Sequence, residues 1–192
     1  KTLLSINKQI YNDEIEIIVA DDGSYYTSLL ESTLKIKKSE STPYYQLNNN
    51  QIIKLLGKFY NNKIDGLINE WIILPKNKEK MYKPKLLNIA SSISRGNLIF
   101  FLDDDNYFLN NNCIENIMTL YKSYKIIFGQ IIDSSGRKRL YSSNRVQGTT
   151  FGVDKEIFNK IGGYGEWTID MSNGVDSDIW WKLFHYSKEN NI

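Results

Sequence analysis

The sequence has 192 residues and lacks the features that mark two large classes of protein. Its single cysteine, Cys113, excludes an internal disulfide framework and fits a reducing compartment. No apolar run approaches the roughly 20 residues that a membrane-spanning helix needs, and no signal peptide follows Lys1. We therefore expect a cytoplasmic protein, free or peripheral at a membrane, with no transmembrane segment in this chain.

The chain also lacks a strong excess of charge of one sign. Its formal net charge of +2 gives no broad basic field of the kind that nucleic-acid binders use. We interpret the basic residues at 35–38 and 137–139 as solvated surface and expect no nucleic-acid partner. With 41% hydrophobic and 24% charged residues, the composition suits one globular domain over residues 1–192.

The most informative stretch that the chain does contain is NLIFFLDDDN, residues 97–106. Its five apolar residues, 98–102, predict a strand buried on both faces. Asp103, Asp104 and Asp105 follow at the edge where open α/β sheets bind ligands. Three adjacent carboxylates favour a bound cation, and Mg²⁺ or Mn²⁺ is the simplest choice. The alternative is an ordinary solvated turn.

A calcium-binding loop and a histidine ligand are the two alternatives to an Mg²⁺ or Mn²⁺ site at this strand end. A calcium-binding EF-hand loop does not fit, because no glycine stands at its sixth position counted from Asp103 or Asp104. The only histidine, His185, is interpreted as structural or exposed, since it lies about two helical turns beyond Asp176.

A second strand also ends in acids. Residues 14–20 predict a β-branched strand that leads into Asp21, Asp22 and Gly23. The sequence Asp21-Asp22-Gly23 by itself would also fit an ordinary turn. Because both predicted strands end in carboxylates, each one strengthens the prediction of a site at the other.

The remaining pattern alternates helices and strands. Helices are predicted at residues 2–11, 29–36, 51–60, 83–94, 110–121, 155–161 and 176–186, and strands at 14–20, 71–74, 98–102, 126–132 and 149–153. Loops are predicted at 39–50 and 164–174, and a turn at 134–136. This order predicts a three-layer α/β domain with a mostly parallel sheet.

Four segments in this order resemble the motif set of family 2 glycosyltransferases with the A-type (GT-A, Rossmann-like) fold. They are EIIVADDGS, KPKLLNIASSISRGNLIFFLDDDN, GTTFGVDKEIFNKIGGYGEW and GVDSDIWWKL. The match covers residues 3–183, and the interval of eight residues from Asn88 to Gly96 is typical of that family. The resemblance implies an inverting enzyme. It would move a sugar from a nucleotide diphosphate, most often UDP, to a hydroxyl of a glycan, lipid or protein.

The resemblance also implies roles on the donor side. Asp22 would accept a hydrogen bond from the nucleotide base, and Lys83 would approach the donor phosphates. Asp103 and Asp105 match the two acids of the family's DXD metal motif, which binds Mn²⁺ or Mg²⁺. Asp105 would be the direct ligand, with Asp103 or Asp104 nearer the ribose.

On the acceptor side, Gly162 and Gly163 match the glycine pair that precedes the acceptor loop. Asp176 falls on the general base of the inverting members. Asp178 could supply a further acceptor contact, or it could be an acid that favours a helix N-terminus. Of the adjacent Trp180 and Trp181, we expect one in the core and the other, Trp181, beside the acceptor site.

The chain departs from the family pattern at several places. Val175 stands where the family has Glu before its base, and Leu87 stands where it often has Arg. The family's first strand should precede Lys1, so we predict a sheet that lacks its first strand and a chain that is incomplete at its start. It also stops at Ile192, before a segment that often closes over the substrates.

Two other functions fit parts of this pattern. A sugar nucleotidyltransferase would use a related sheet, although the segment GVDSDIWWKL favours sugar transfer. A catalytically impaired domain that binds carbohydrate or nucleotide would fit Val175 and the missing ends.

Overall fold

A computed structural model describes residues 1–23, 44–56, 67–74, 80–139 and 150–192. The predicted helix at 29–36 and the end of the one at 51–60 lie outside these residues. The chain divides into two compact units. Unit 1 comprises Lys1–Asp13, Gly96–Thr168 and Gly174–Ile192, and unit 2 comprises Glu14–Arg95 and Ile169–Asn173.

The described elements are, in chain order, α1 (Thr2–Asn7), β1 (Ile18–Asp21), β2 (Tyr45–Leu47), α2 (Asn49–Leu56), β3 (Glu70–Ile73), α3 (Lys83–Ile93), β4 (Leu98–Leu102), α4 (Cys113–Tyr121), β5 (Ile126–Phe128), β6 (Thr150–Asp154), α5 (Lys155–Lys160), α6 (Thr168–Met171) and α7 (Val175–Asn190). The prediction of a mixed α/β protein is confirmed. None of the described helices is long and apolar enough to cross a bilayer.

Unit 2 is built on a sheet with the strand order β1-β3-β2. β1 pairs parallel with β3, and β2 pairs antiparallel with β3. Buried Ile72, Leu74 and Leu86 join this sheet to α3. Pro84 lies in the first turn of α3, where its missing N–H costs no helical hydrogen bond. The carboxyl end of β1 and the start of α3 therefore belong to one packed core.

Unit 1 is built on a sheet with the order β4-β6-β5, in which both strand pairs are antiparallel. Phe101 of β4 stacks on Phe151 of β6 with ring centroids 4.9 Å apart. It also contacts Phe158 of α5 at 5.5 Å and meets the edge of Tyr164 at 5.4 Å. We call these four residues the aromatic cluster. It fixes the end of β4 against the segment that follows α5.

Two predictions about the sheets are wrong. Of the four described strand pairs, only β1 with β3 is parallel, so the sheets are not mostly parallel. β4 is not buried on both faces either, since only its Phe101 is buried. Within the described residues, every pair that involves β2 or β6 is antiparallel, and β4 lies at the edge of its sheet, where a strand is less covered than at the centre.

Several element boundaries differ from the prediction, and β1 begins four residues later than the predicted strand at 14–20. β4 is as predicted, and α3 and α5 each end one residue early. α1 ends four residues early, α4 starts three residues late, β5 is shorter and α7 runs on to Asn190. β2 lies in a predicted loop at 39–50, and α6 lies in the predicted loop at 164–174. Both are short elements whose sequence carries little periodicity.

Truncating the aromatic cluster tests whether it holds unit 1 together. Phe151 is fully buried, so Phe151→Ala should lower the free energy of unfolding by about 3–5 kcal/mol. Urea denaturation followed by circular dichroism measures this loss. Leu120→Ala is the control, because Leu120 is an exposed residue of α4 and its loss should cost under about 0.5 kcal/mol. Equal losses in the two variants would contradict this role of the cluster.

Candidate functional site

Asp103 and Asp176 come together in unit 1 around one buried tyrosine. Asp103 directly follows β4, and Asp176 lies in the first turn of α7. Both are half-buried. Burial raises the pKa of Tyr164 well above its usual value, and the charges of Asp176 and Asp103 raise it further. Two predicted site acids, 73 positions apart in sequence, therefore act on the same hydroxyl.

Asp104 and Asp105 have a different environment from Asp103, because both are exposed. Water therefore screens their charges, and repulsion alone does not require a cation beside them. The backbone is nonetheless ordered: the amide of Asn106 donates to the carbonyl of Asp103 at 3.1 Å. The hydroxyl of Thr2 lies 2.6 Å from the carbonyl oxygen of Asp104 and 2.6 Å from that of Asn106. It can donate its one proton to either of them.

The donor atoms of Asp103 and Asp105 fit Mn²⁺ or Mg²⁺, which prefer carboxylate oxygen. Within the described ranges, no group of three or more acidic, histidine or cysteine side chains is placed to hold a metal. A complete protein cage is not what such ions need. They commonly use one or two carboxylates and take their other ligands from water and substrate phosphates.

Ser5 of α1 and Gln9, two residues beyond its end, hold the segment that follows these acids. The side-chain amide of Gln9 donates to the carbonyl of Asn110 at 2.8 Å, and its oxygen accepts from the amide of Ile114 at 3.1 Å. The hydroxyl of Ser5 accepts from the amide of Phe108 at 3.0 Å. Gln9 thus caps α4, whereas the N-cap residue Asn112 makes no side-chain cap.

Asp178 is engaged in holding the loop between α5 and α7. Its carboxylate is 7% exposed and accepts from the amide of Gly165 at 2.6 Å. It also accepts from the indole Nε1 of Trp167 at 3.1 Å. Lys182 pairs with it at 3.0 Å and donates to the carbonyl of Gly163 at 2.8 Å. We call this set of contacts the Asp178 clamp.

The glycine pair ends α5 as predicted. Gly162 and Gly163 have φ values of +76° and +59°, a region that side-chain-bearing residues seldom adopt. Their backbone turns the chain back towards α7, so Tyr164 enters the aromatic cluster. Both glycines therefore position the loop through their backbone.

The two adjacent tryptophans differ in exposure, and the place of Trp181 beside an acceptor stays a prediction. Trp180 is half-buried against Phe184, at 5.2 Å, whereas Trp181 is 58% exposed and stacks on His185 at 5.0 Å. Trp167 was missed by the sequence analysis, yet it is 54% exposed and lies in the Asp178 clamp. Its place just after the glycine pair, in GGYGEW, was the available signal.

Two of the predicted donor-side residues, Asp22 and Lys83, lie near each other in unit 2. Asp22 follows β1, and its carboxylate accepts from the amide of Tyr82 at 2.9 Å. Lys83 is the first residue of α3. Tyr82 directly precedes α3, so this hydrogen bond places the carboxylate of Asp22 at the start of the helix. The structure thus groups Asp22 with Lys83 and Asp103 with Asp176, and their union in one site stays a prediction.

No protein-family model matches this chain, and no curated protein matches it. The resemblance to family 2 glycosyltransferases therefore rests on the motifs in the sequence, and it stays a prediction.

The Gln9 cap gives a stability test with a matched control. Gln9→Ala removes the cap of α4 and a bond to the loop, so the free energy of unfolding should fall by about 1–2 kcal/mol. Asn112→Ala removes the residue at the formal N-cap and should cost under about 0.5 kcal/mol. Urea denaturation compares them. A larger loss from Asn112→Ala would contradict capping by Gln9.

Proposed function

We propose that this chain carries the catalytic domain of a metal-dependent, inverting glycosyltransferase with the A-type fold. It would transfer a sugar from a nucleotide diphosphate, UDP first among them, to an acceptor hydroxyl. The observation that carries the proposal is the grouping of Asp103 and Asp176 around Tyr164. One acid follows a strand and the other begins a helix, so they reach a common point from two elements.

In this proposal Asp176 is the general base. A carboxylate placed beside the acceptor hydroxyl takes its proton as the oxygen attacks the anomeric carbon. The neighbouring Tyr164 keeps its own proton, because burial and the two acids raise its pKa. It therefore does not compete with Asp176 for the proton of the acceptor.

Asp103 and Asp105 would hold Mn²⁺ or Mg²⁺ together with the donor diphosphate. Such an ion, when bound, stabilises the negative charge of the leaving nucleotide. Asp22 and Lys83 would bind the base and the phosphates, as the resemblance implies. Lys83 supplies a flexible ammonium for the second of these tasks.

The burial of Val175 explains why an apolar residue fits this position. Val175 replaces the family's Glu, but its side chain is buried in unit 1. A carboxylate at this position would be desolvated, so an apolar residue suits the site. The acceptor contacts that Glu would make must then come from elsewhere in the loop.

Nucleotide binding is the first test. We expect Mn²⁺ to allow one nucleoside diphosphate, from a panel of UDP, GDP, ADP, CDP and dTDP, to raise the melting temperature of the purified protein. Asp105→Asn should remove the Mn²⁺-dependent rise. Glu115→Gln, on an exposed position of α4, should keep it. No rise with any nucleotide would contradict the proposal.

Catalysis by Asp176 is the second test. Asp176→Asn should lower kcat for sugar transfer by about 100-fold or more, while the nucleotide-dependent rise in melting temperature persists. The assay measures UDP released from UDP-sugars in the presence of acceptors. Unchanged transfer would exclude Asp176 as the base. Formation of UDP-sugar and pyrophosphate from UTP and a sugar 1-phosphate would favour the sugar nucleotidyltransferase.

A further inference from the structure

The indole of Trp167 is held by one edge and exposed over much of its surface. Its Nε1 donates to Asp178, and the ring remains 54% exposed. The fit against the backbone is close: a Cβ added to Gly165 would lie 2.3 Å from Nε1. Glycine at 165 therefore lets the ring approach, and Asp178 fixes its orientation.

An exposed tryptophan leaves apolar area in water that burial would stabilise. The other strongly exposed indole, Trp181, places its ring against His185. Trp167 instead is positioned through its polar edge. A rigid ring with an open face is preorganised for stacking, because little side-chain freedom is lost when a ligand binds.

Trp167 is also close to the proposed base in the fold. Asp178, which holds the indole, lies two residues after Asp176 in the same first turn of α7. The loop that carries Trp167 also carries Tyr164, the residue affected by both Asp176 and Asp103. The open face thus belongs to the loop and helix turn that would receive the acceptor.

We propose that Trp167 is the platform on which the acceptor binds, and that this acceptor is a carbohydrate ring. This inference rests on the proposed function. A pyranose presents a face of C–H groups that packs on an aromatic ring, while its hydroxyls at the rim stay available to polar groups. Asp178 holds the indole from the same helix turn as Asp176, which would take the proton of a rim hydroxyl. A lipid chain has no flat face of C–H groups to match the ring.

Direct binding can be measured without any enzymatic activity. The protein is labelled with 5-fluorotryptophan, and its four indoles are followed by ¹⁹F NMR. Methyl glycosides of glucose, galactose and N-acetylglucosamine, and their β-linked disaccharides, are the probes. We expect at least one to shift the Trp167 resonance and to leave that of buried Trp71 in place.

Two variants distinguish a loss of glycoside stacking on Trp167 from a loss of folding. Gly165→Ala keeps the indole but displaces it, so the glycoside-dependent shift should disappear while the melting temperature falls only modestly. Trp167→Phe keeps an aromatic ring but loses the Nε1–H that Asp178 holds, so it should raise KM for the acceptor by less than Trp167→Ala does. A shift of the Trp181 resonance in place of that of Trp167 would overturn the proposal. So would the absence of any shift across the panel.

Kinetics then connect the platform with transfer. Trp167→Ala should raise KM for the acceptor by about 10-fold and leave KM for the donor unchanged. Tyr124→Ala, which removes another exposed aromatic ring of unit 1, should change neither. An unchanged acceptor KM in Trp167→Ala would overturn the proposal. If no donor is turned over but a glycoside shifts Trp167, the proposed function fails and the platform stands as a binding site.

Discussion

The packing of aromatic rings around Phe101 is the interaction on which the candidate site in unit 1 depends. Phe101 joins β4 to β6, to α5 and to Tyr164 through three ring contacts. The strand end that carries Asp103 is therefore fixed to the loop that leads to Asp176 by apolar contacts. Because burial also keeps the Tyr164 hydroxyl protonated, the same packing sets the electrostatics between the two acids.

The first turn of α7 contains two aspartates, Asp176 and Asp178, that have different surroundings. Asp178 has an ammonium, a backbone amide and an indole N–H as direct partners, so its charge is compensated and its position is fixed. Asp176, two residues earlier, acts on Tyr164. The two carboxylates of this turn therefore differ in their surroundings, although they are only two residues apart.

The sequence predicted the parts of this structure that local pattern determines. The apolar run of β4, the helix α3 with its early proline, and the acids after both β1 and β4 needed only neighbouring residues to be recognised. Strand direction, the cap from Gln9 and the orientation of Trp167 depend on contacts between distant residues. Gln9 and Ile114 are 105 positions apart, and no local pattern indicates that they meet. The contact of Trp167 with Asp178 likewise joins residues 11 positions apart, and helical spacing does not indicate it.

Asp104 and Asp105 are exposed, so repulsion between buried charges is not a reason to expect a metal ion beside them. The sequence suggested that three adjacent carboxylates would need a cation, but Asp104 and Asp105 are solvated, and water lowers their repulsion. Their backbone is held from the other side by Thr2, 102 positions away from Asp104. An exposed carboxylate on a fixed backbone would suit an ion that keeps water and phosphate oxygens among its other ligands. Metal binding stays a proposal, and it is supported by the ordered position of the acids and by the ligand chemistry of carboxylate oxygen.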